Sequence, residues 1–190
     1  MRYETRQRQL EAVVEMFSRI IAGMMVGAFA VMGVQVAAQE SDNRVAAKTD
    51  WSVFVEDDPT ECWGVSAPKE TVNTRDGRTV SVQRGKILLF VTFRPGNGAA
   101  GEVSFTGGYP FASGSTVTVE VGDSSFELFT EGEWAWPASP EDDSKLVTAL
   151  KRGAEAKFSA RSSRGTKTED TFSLMGFTAA MDEAEQRCAQ

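Results

Sequence analysis

The chain has 190 residues, 41% of them hydrophobic and 25% charged, with a formal net charge of −7. That is the balance of a folded domain, not of a disordered or collagen-like chain, and the acidic excess argues against nucleic acid as a partner. Histidine is absent and only two cysteines are present, which excludes Ser-His-Asp and Cys-His nucleophile systems, His-ligated zinc and four-cysteine metal sites.

The first element is an address. Ile20 to Val34 is an uncharged apolar run of 15 residues preceded by Arg19. Val36-Ala37-Ala38 follows, with small residues where a signal peptidase reads them. The run is shorter than the roughly 20 apolar residues a spanning helix needs. Residues 1–38 are therefore expected to be a signal peptide cleaved before Gln39, with no membrane span after cleavage. Met16 offers an alternative start with a purely basic n-region. The expected location is periplasmic, or beyond it as a secreted or outer-membrane-associated protein. Residues 39–190 carry 16 basic and 24 acidic side chains, a charge that favours solubility.

Residues 39–50 are polar and patternless and are expected to form a flexible leader. From Trp51 onward a single domain, residues 51–190, is predicted as mainly β. Trp51 to Val55 and Cys62 to Val65 are short strand candidates separated by an acidic turn. Thr71 to Thr74 and Thr79 to Gln83 flank Asp76-Gly77, a strong hairpin signal. Ile87 to Phe93 is the most continuous apolar run and predicts a central strand buried on both faces. Glu102 to Phe105 alternates, as do Thr116 to Val121 and Ser125 to Leu128 around the Gly122-Asp123 turn. Trp134 and Trp136 share one side of a further strand.

Ser139-Pro140-Glu141-Asp142 is a helix start, with a capping serine, proline in the first turn and acidic residues at the positive end of the helix dipole. Leu146, Val147 and Leu150 form its stripe, and Lys151-Arg152-Gly153 closes it. Ala156, Phe158 and Ala160 alternate in the next strand, and Thr168 to Leu174 returns. In a last short helix, Phe177, Ala180, Met181, Ala184 and Cys188 share one face. Many short strands with regular turns predict an antiparallel β-sandwich with one inserted helix and a short C-terminal helix.

Cys188 lies on the inward face of its helix, and Cys62 begins an apolar strand. In an oxidising compartment these two form a structural disulfide across 126 positions. Free thiols and a redox role are the alternatives, the latter without a Cys-x-x-Cys motif. The acidic clusters at Glu56–Glu61 and Glu141–Asp143 lack calcium-loop spacing and are explained as solvated turn and helix-start charges. No metal site, cofactor or catalytic residue is expected. The aromatics Trp51, Trp63, Trp134, Trp136, Tyr109 and Phe111 are either core packing or the lining of a ligand groove.

Several of these residues together resemble one family. They are Trp51 opening the domain, Cys62-Trp63 soon after, the apolar strand at 87–93, and the closing segment Phe172-Ser173-Leu174-Met175-Gly176-Phe177-Thr178-Ala179-Ala180. In combination they resemble the invasion-associated locus B family of exported alphaproteobacterial envelope proteins, over most of residues 51–188. Members often carry a cysteine shortly after the first tryptophan; Val53, Phe54 and Val55 stand there instead. The resemblance implies an envelope protein without known catalytic residues, and a role in invasion is not carried over with it. The function expected is non-enzymatic binding of another envelope or cell-surface protein. The alternatives are a periplasmic small-ligand or lipid carrier and, third, a hydrolase working with carboxylates alone.

Overall fold

The computed structural model describes residues 43–58 and 60–189; the expected signal peptide lies outside them. Period-two alternation gives twelve strands: β1 (Arg44–Lys48), β2 (Trp51–Asp57), β3 (Thr60–Ser66), β4 (Glu70–Arg75), β5 (Arg78–Thr79), β6 (Leu88–Arg94), β7 (Ala99–Thr106), β8 (Thr116–Val121), β9 (Ser124–Glu131), β10 (Trp134–Trp136), β11 (Glu155–Arg161) and β12 (Lys167–Ser173). Two helices join them, α1 (Pro140–Arg152) inserted before β11 and α2 (Phe177–Cys188) at the C-terminal end.

The mainly antiparallel β expectation holds. The two packed layers come from one continuous sheet, in the order β1-β2-β3-β6-β7-β10-β9-β8-β11-β12-β4-β5. Strands four places apart would sit about 19 Å apart in a flat sheet. Yet the rings of Phe105 on β7 and Phe158 on β11 lie 4.8 Å apart, and Phe172 on β12 packs at 5.2 Å from Phe158. The sheet therefore folds over itself, and these three rings fill the space between the layers.

Residues 44–48, expected within the leader, form strand β1, which pairs antiparallel with β2. Its stability comes from backbone pairing to the free edge of β2, with side chains mostly exposed. That leaves no apolar rhythm in the sequence to announce it. At the Asp76-Gly77 hairpin both central residues adopt positive φ, 50° and 75°, as a type I′ turn requires.

Helix α1 starts as its sequence dictates: the Ser139 hydroxyl accepts from the Asp142 N–H at 3.2 Å. Leu146 and Leu150 are buried. Asp143 has a job beyond the helix dipole. Its Oδ1 accepts from the Val103 N–H at 2.8 Å, a donor beyond the reach of β10, which pairs only with Phe105 and Thr106. Burial pushes the Asp143 carboxyl above its usual range, and the Val103 hydrogen bond draws it back.

Helix α2 buries Phe177, Ala180, Met181, Ala184 and Cys188, the face anticipated from spacing. Cys188 is bonded to Cys62 on β3, with Cα atoms 5.7 Å apart. The closing sequence segment explains itself here. The Trp51 indole donates to the Ser173 carbonyl at 3.0 Å and meets Phe177 edge-on at 4.9 Å. Between them Gly176 takes φ 89°, where a Cβ would collide with the Lys48 carbonyl of β1. Trp51 and the closing segment, far apart in sequence, are one packing unit.

Candidate functional site

The strands that bury Trp51, Cys62 and Val91 inward turn their alternate residues outward, because successive side chains point to opposite faces. From β2 this outer face receives Ser52, Phe54 and Glu56; from β3, Trp63 and Val65; from β6, Leu88, Phe90, Thr92 and Arg94; and from β10, Trp134 and Trp136. These residues line an open groove of about 750 Å³. Register aligns the rings. Phe54 stands directly opposite Trp63, and the two are stacked at 5.6 Å with planes 5° apart. Across the groove Phe90 meets Trp134 at 5.8 Å, Trp134 stacks with Trp136 at 6.4 Å, and Phe129 of β9 meets Trp136 at 5.5 Å. Trp134 is 40% exposed and Phe129 47%.

The central strand β6 is thus buried on its inner face, while Leu88 and Phe90 on its outer face are half-buried groove floor. The expectation of burial on both faces is corrected. Among the described residues no helix covers this side of β6; α2 packs on the other, where Cys188 Sγ lies 3.4 Å from the Phe93 carbonyl.

One end of the groove is polar. Arg94 donates to Glu61 at 2.9 Å and to Glu102 at 3.0 Å. Burial works to lower this guanidinium, but its bonds to Glu102 and Glu61 prevail and raise it. Both carboxylates are occupied as acceptors by one cation, an arrangement that orients polar groups at the rim and does not set up a general acid, which needs a carboxyl held protonated. The two carboxyls that burial does raise, Asp143 and Asp170, have structural partners.

Asp170 belongs to a constellation that sequence reasoning missed. It is fully buried on β12 and takes Arg84 bidentately, at 2.8 and 2.6 Å. The Arg84 Nε donates to the Gly107 carbonyl at 2.8 Å, and the guanidinium lies 4.9 Å over the Tyr109 ring. Burial pushes the Asp170 carboxyl up, and the Arg84 hydrogen bonds and charge pull it back. The clamp ties the segment between β5 and β6 to the end of β7 and to β12. No local pattern announces it, because the partners lie 86 positions apart.

Of the six aromatics singled out from sequence, the groove gathers Trp63, Trp134 and Trp136. Trp51 is core, Phe111 packs 6.1 Å from Phe105, and Tyr109 covers Arg84. The groove also uses Phe54 and Phe90, and Phe129 packs on Trp136 at its edge. Phe54 and Phe90 were legible in principle from parity: if Val53 and Val91 face inward, their neighbours Phe54 and Phe90 face outward. Among the acidic residues, Glu56 accepts from Asn43 and Glu61 from Arg94.

The profile of the "Invasion associated locus B (IalB) protein" family matches residues 79–185, more than half of the chain. The chain belongs to the IalB family. The match includes the closing segment at 172–180, β6 and the groove residues of β10. The crystal structure of invasion associated protein B from Bartonella henselae superposes with a TM-score of 0.53 at 16% identity, covering 76% of this chain and 98% of that one. At that identity the likeness shows a shared fold. No curated protein matches the sequence. Among the described residues no helix is long and apolar enough to cross a membrane.

Proposed function

We propose that this IalB-family protein is an exported, non-enzymatic envelope protein that acts by binding another envelope or cell-surface component in the outer aromatic groove. One observation carries the reading. Phe54, Trp63, Phe90, Trp134, Trp136 and Phe129 are aligned on a solvent-facing sheet surface while the core has its own complement of rings. Contiguous exposed apolar surface rimmed by polar groups marks an interaction site, and buried aromatic anchors dominate binding energy. The signal-like segment and the Cys62–Cys188 bond support export to an oxidising compartment. Transport of a small or lipid-like ligand would use the same groove, because Phe105, Phe158 and Phe172 occupy the space between the layers.

The test is site-specific photo-crosslinking in the envelope, with the reactive group at position 129, beside Trp136 at the edge of the groove, and, as control, at position 70 on β4. A discrete adduct from position 129 that is absent from position 70 and lost with Trp134→Ala/Trp136→Ala is the expected result. Equal labelling from both positions, or adducts indifferent to the double substitution, would sink the proposal.

A further inference from the structure

The opposite end of the strand order carries a different chemistry. Cross-strand register sets Arg161 directly opposite Lys167 in the β11–β12 pair, and Arg75 directly opposite Arg78 in the β4–β5 pair. Like charges facing each other across a ladder destabilise it, and here the opposition occurs twice at the same end of the sheet. Arg164 adds another cation from the turn between β11 and β12. None of these five forms an ion pair with a carboxylate among the described residues, although the chain has a net charge of −7. Elsewhere Lys157, on the same β11 strand, is answered by Glu120 at 2.8 Å.

The cations surround a space. Arg75, Arg161, Arg164 and Lys167 line a concavity of about 550 Å³, in which Asp76 is the one acidic lining residue. Glu169 lies two ladder pairs further along β12, opposite Ser159. Arg75 is held in place through a 2.7 Å hydrogen bond to the buried Thr166 hydroxyl. A second concavity, of about 470 Å³ and bounded by Tyr109 and Thr168, shares Arg75 and Arg164 with the first.

We propose that Arg75, Arg161, Arg164 and Lys167 form a binding site for a compact oxyanion, the phosphate or sulfate of an ester, at the β4–β5 and β11–β12 hairpin tips. Guanidinium forks match such groups bidentately and remain charged at every physiological pH. A compact anion neutralises cations that the fold leaves in opposition. The excess of carboxylates over the rest of the surface disfavours an extended polyanion running beyond the site. The concavity shared through Arg75 and Arg164 gives the remainder of the ester a place to lie. The site uses strands remote in sheet order from the aromatic groove and stands or falls independently of it.

The experiment compares inorganic phosphate with chloride at equal ionic strength, using the full chain, by thermal melting and by titration calorimetry. Phosphate should raise the melting temperature above that in chloride. Arg161→Gln/Arg164→Gln should weaken phosphate binding at least tenfold, while Lys145→Gln/Arg152→Gln, the same charge change on α1, should leave it unaltered. Arg164→Gln alone, in the turn outside the ladder, gives the same readout should the double variant fail to fold. Sedimentation with phosphatidylglycerol vesicles against phosphatidylcholine vesicles identifies the source. Retention that depends on Arg161 and Arg164 assigns a lipid-borne phosphate; phosphate binding without vesicle retention assigns a soluble or glycan-borne ester. No advantage of phosphate over chloride, or equal loss in the hairpin and α1 variants, would overturn the site.

Discussion

Strands β2, β3 and β6 have two faces built from the same kind of residue, with opposite fates. On the inner face Trp51 has an edge-on partner in Phe177 and a carbonyl acceptor in Ser173. Cys62 is bonded to Cys188, and Gly64 leaves room for Met181 of α2. On the outer face Phe54 stacks on Trp63, Phe90 meets the Trp134 indole of β10, and among the described residues nothing lies over them. The lesson concerns what an aromatic residue signifies. Alternation puts a ring on a face; only a covering element makes that face a core. Where α2 covers, rings contribute stability, and where it does not, they offer contact area.

Substitutions can break this contrast, and the largest effect belongs to the covered face. Cys188→Ser removes a closure across 126 residues, for which loop entropy gives about 5 kcal/mol as an upper figure. Chemical denaturation should show a loss of several kcal/mol, by the same principle. Hydrogen exchange should accelerate in α2 while the β8–β9 hairpin stays protected. Unchanged protection in α2 would mean that packing alone holds it.

Trp51→Ala comes next. It empties a site that is 1% exposed and strands the Ser173 carbonyl, at a cost of about 3–5 kcal/mol. Trp134→Ala, on the uncovered face, should change stability by less than about 1 kcal/mol and still abolish the groove adduct. A comparable cost for both would make the groove a structural surface.

The smallest expected effect tests how β1 is held to the covering helix. Glu183 of α2 bonds Arg187 at 2.7 Å and Lys48 of β1 at 3.2 Å. These bonds, Arg187 first, hold its carboxyl below its ordinary value of 4.5. A carboxylate lowered on folding contributes stability above its unfolded value, and that contribution is lost as pH falls through the folded one. Melting followed from neutral pH to below 4 should therefore decline less steeply in Glu183→Gln than in the parent. Identical slopes would remove Glu183 from the account.

What the sequence determined by itself was local and periodic. The capping serine, acidic first turn and closing glycine placed α1, and spacing alone selected the buried face of α2. Asp76-Gly77 defined a hairpin because its backbone tolerates two consecutive positive φ values. Only the tertiary structure decided how one continuous sheet folds back on itself, that residues 44–48 add an edge strand, and that Arg84 meets Asp170. It also decided that one face of β6 stays open, and that Arg161, Lys167, Arg75 and Arg78 gather at one end. The physical reason is the range of the interactions. Hydrophobic period and capping chemistry act within a few residues and say which side chains share a face. Pairing order and coverage are settled by contacts between segments tens of residues apart, and those contacts separate the core from the groove.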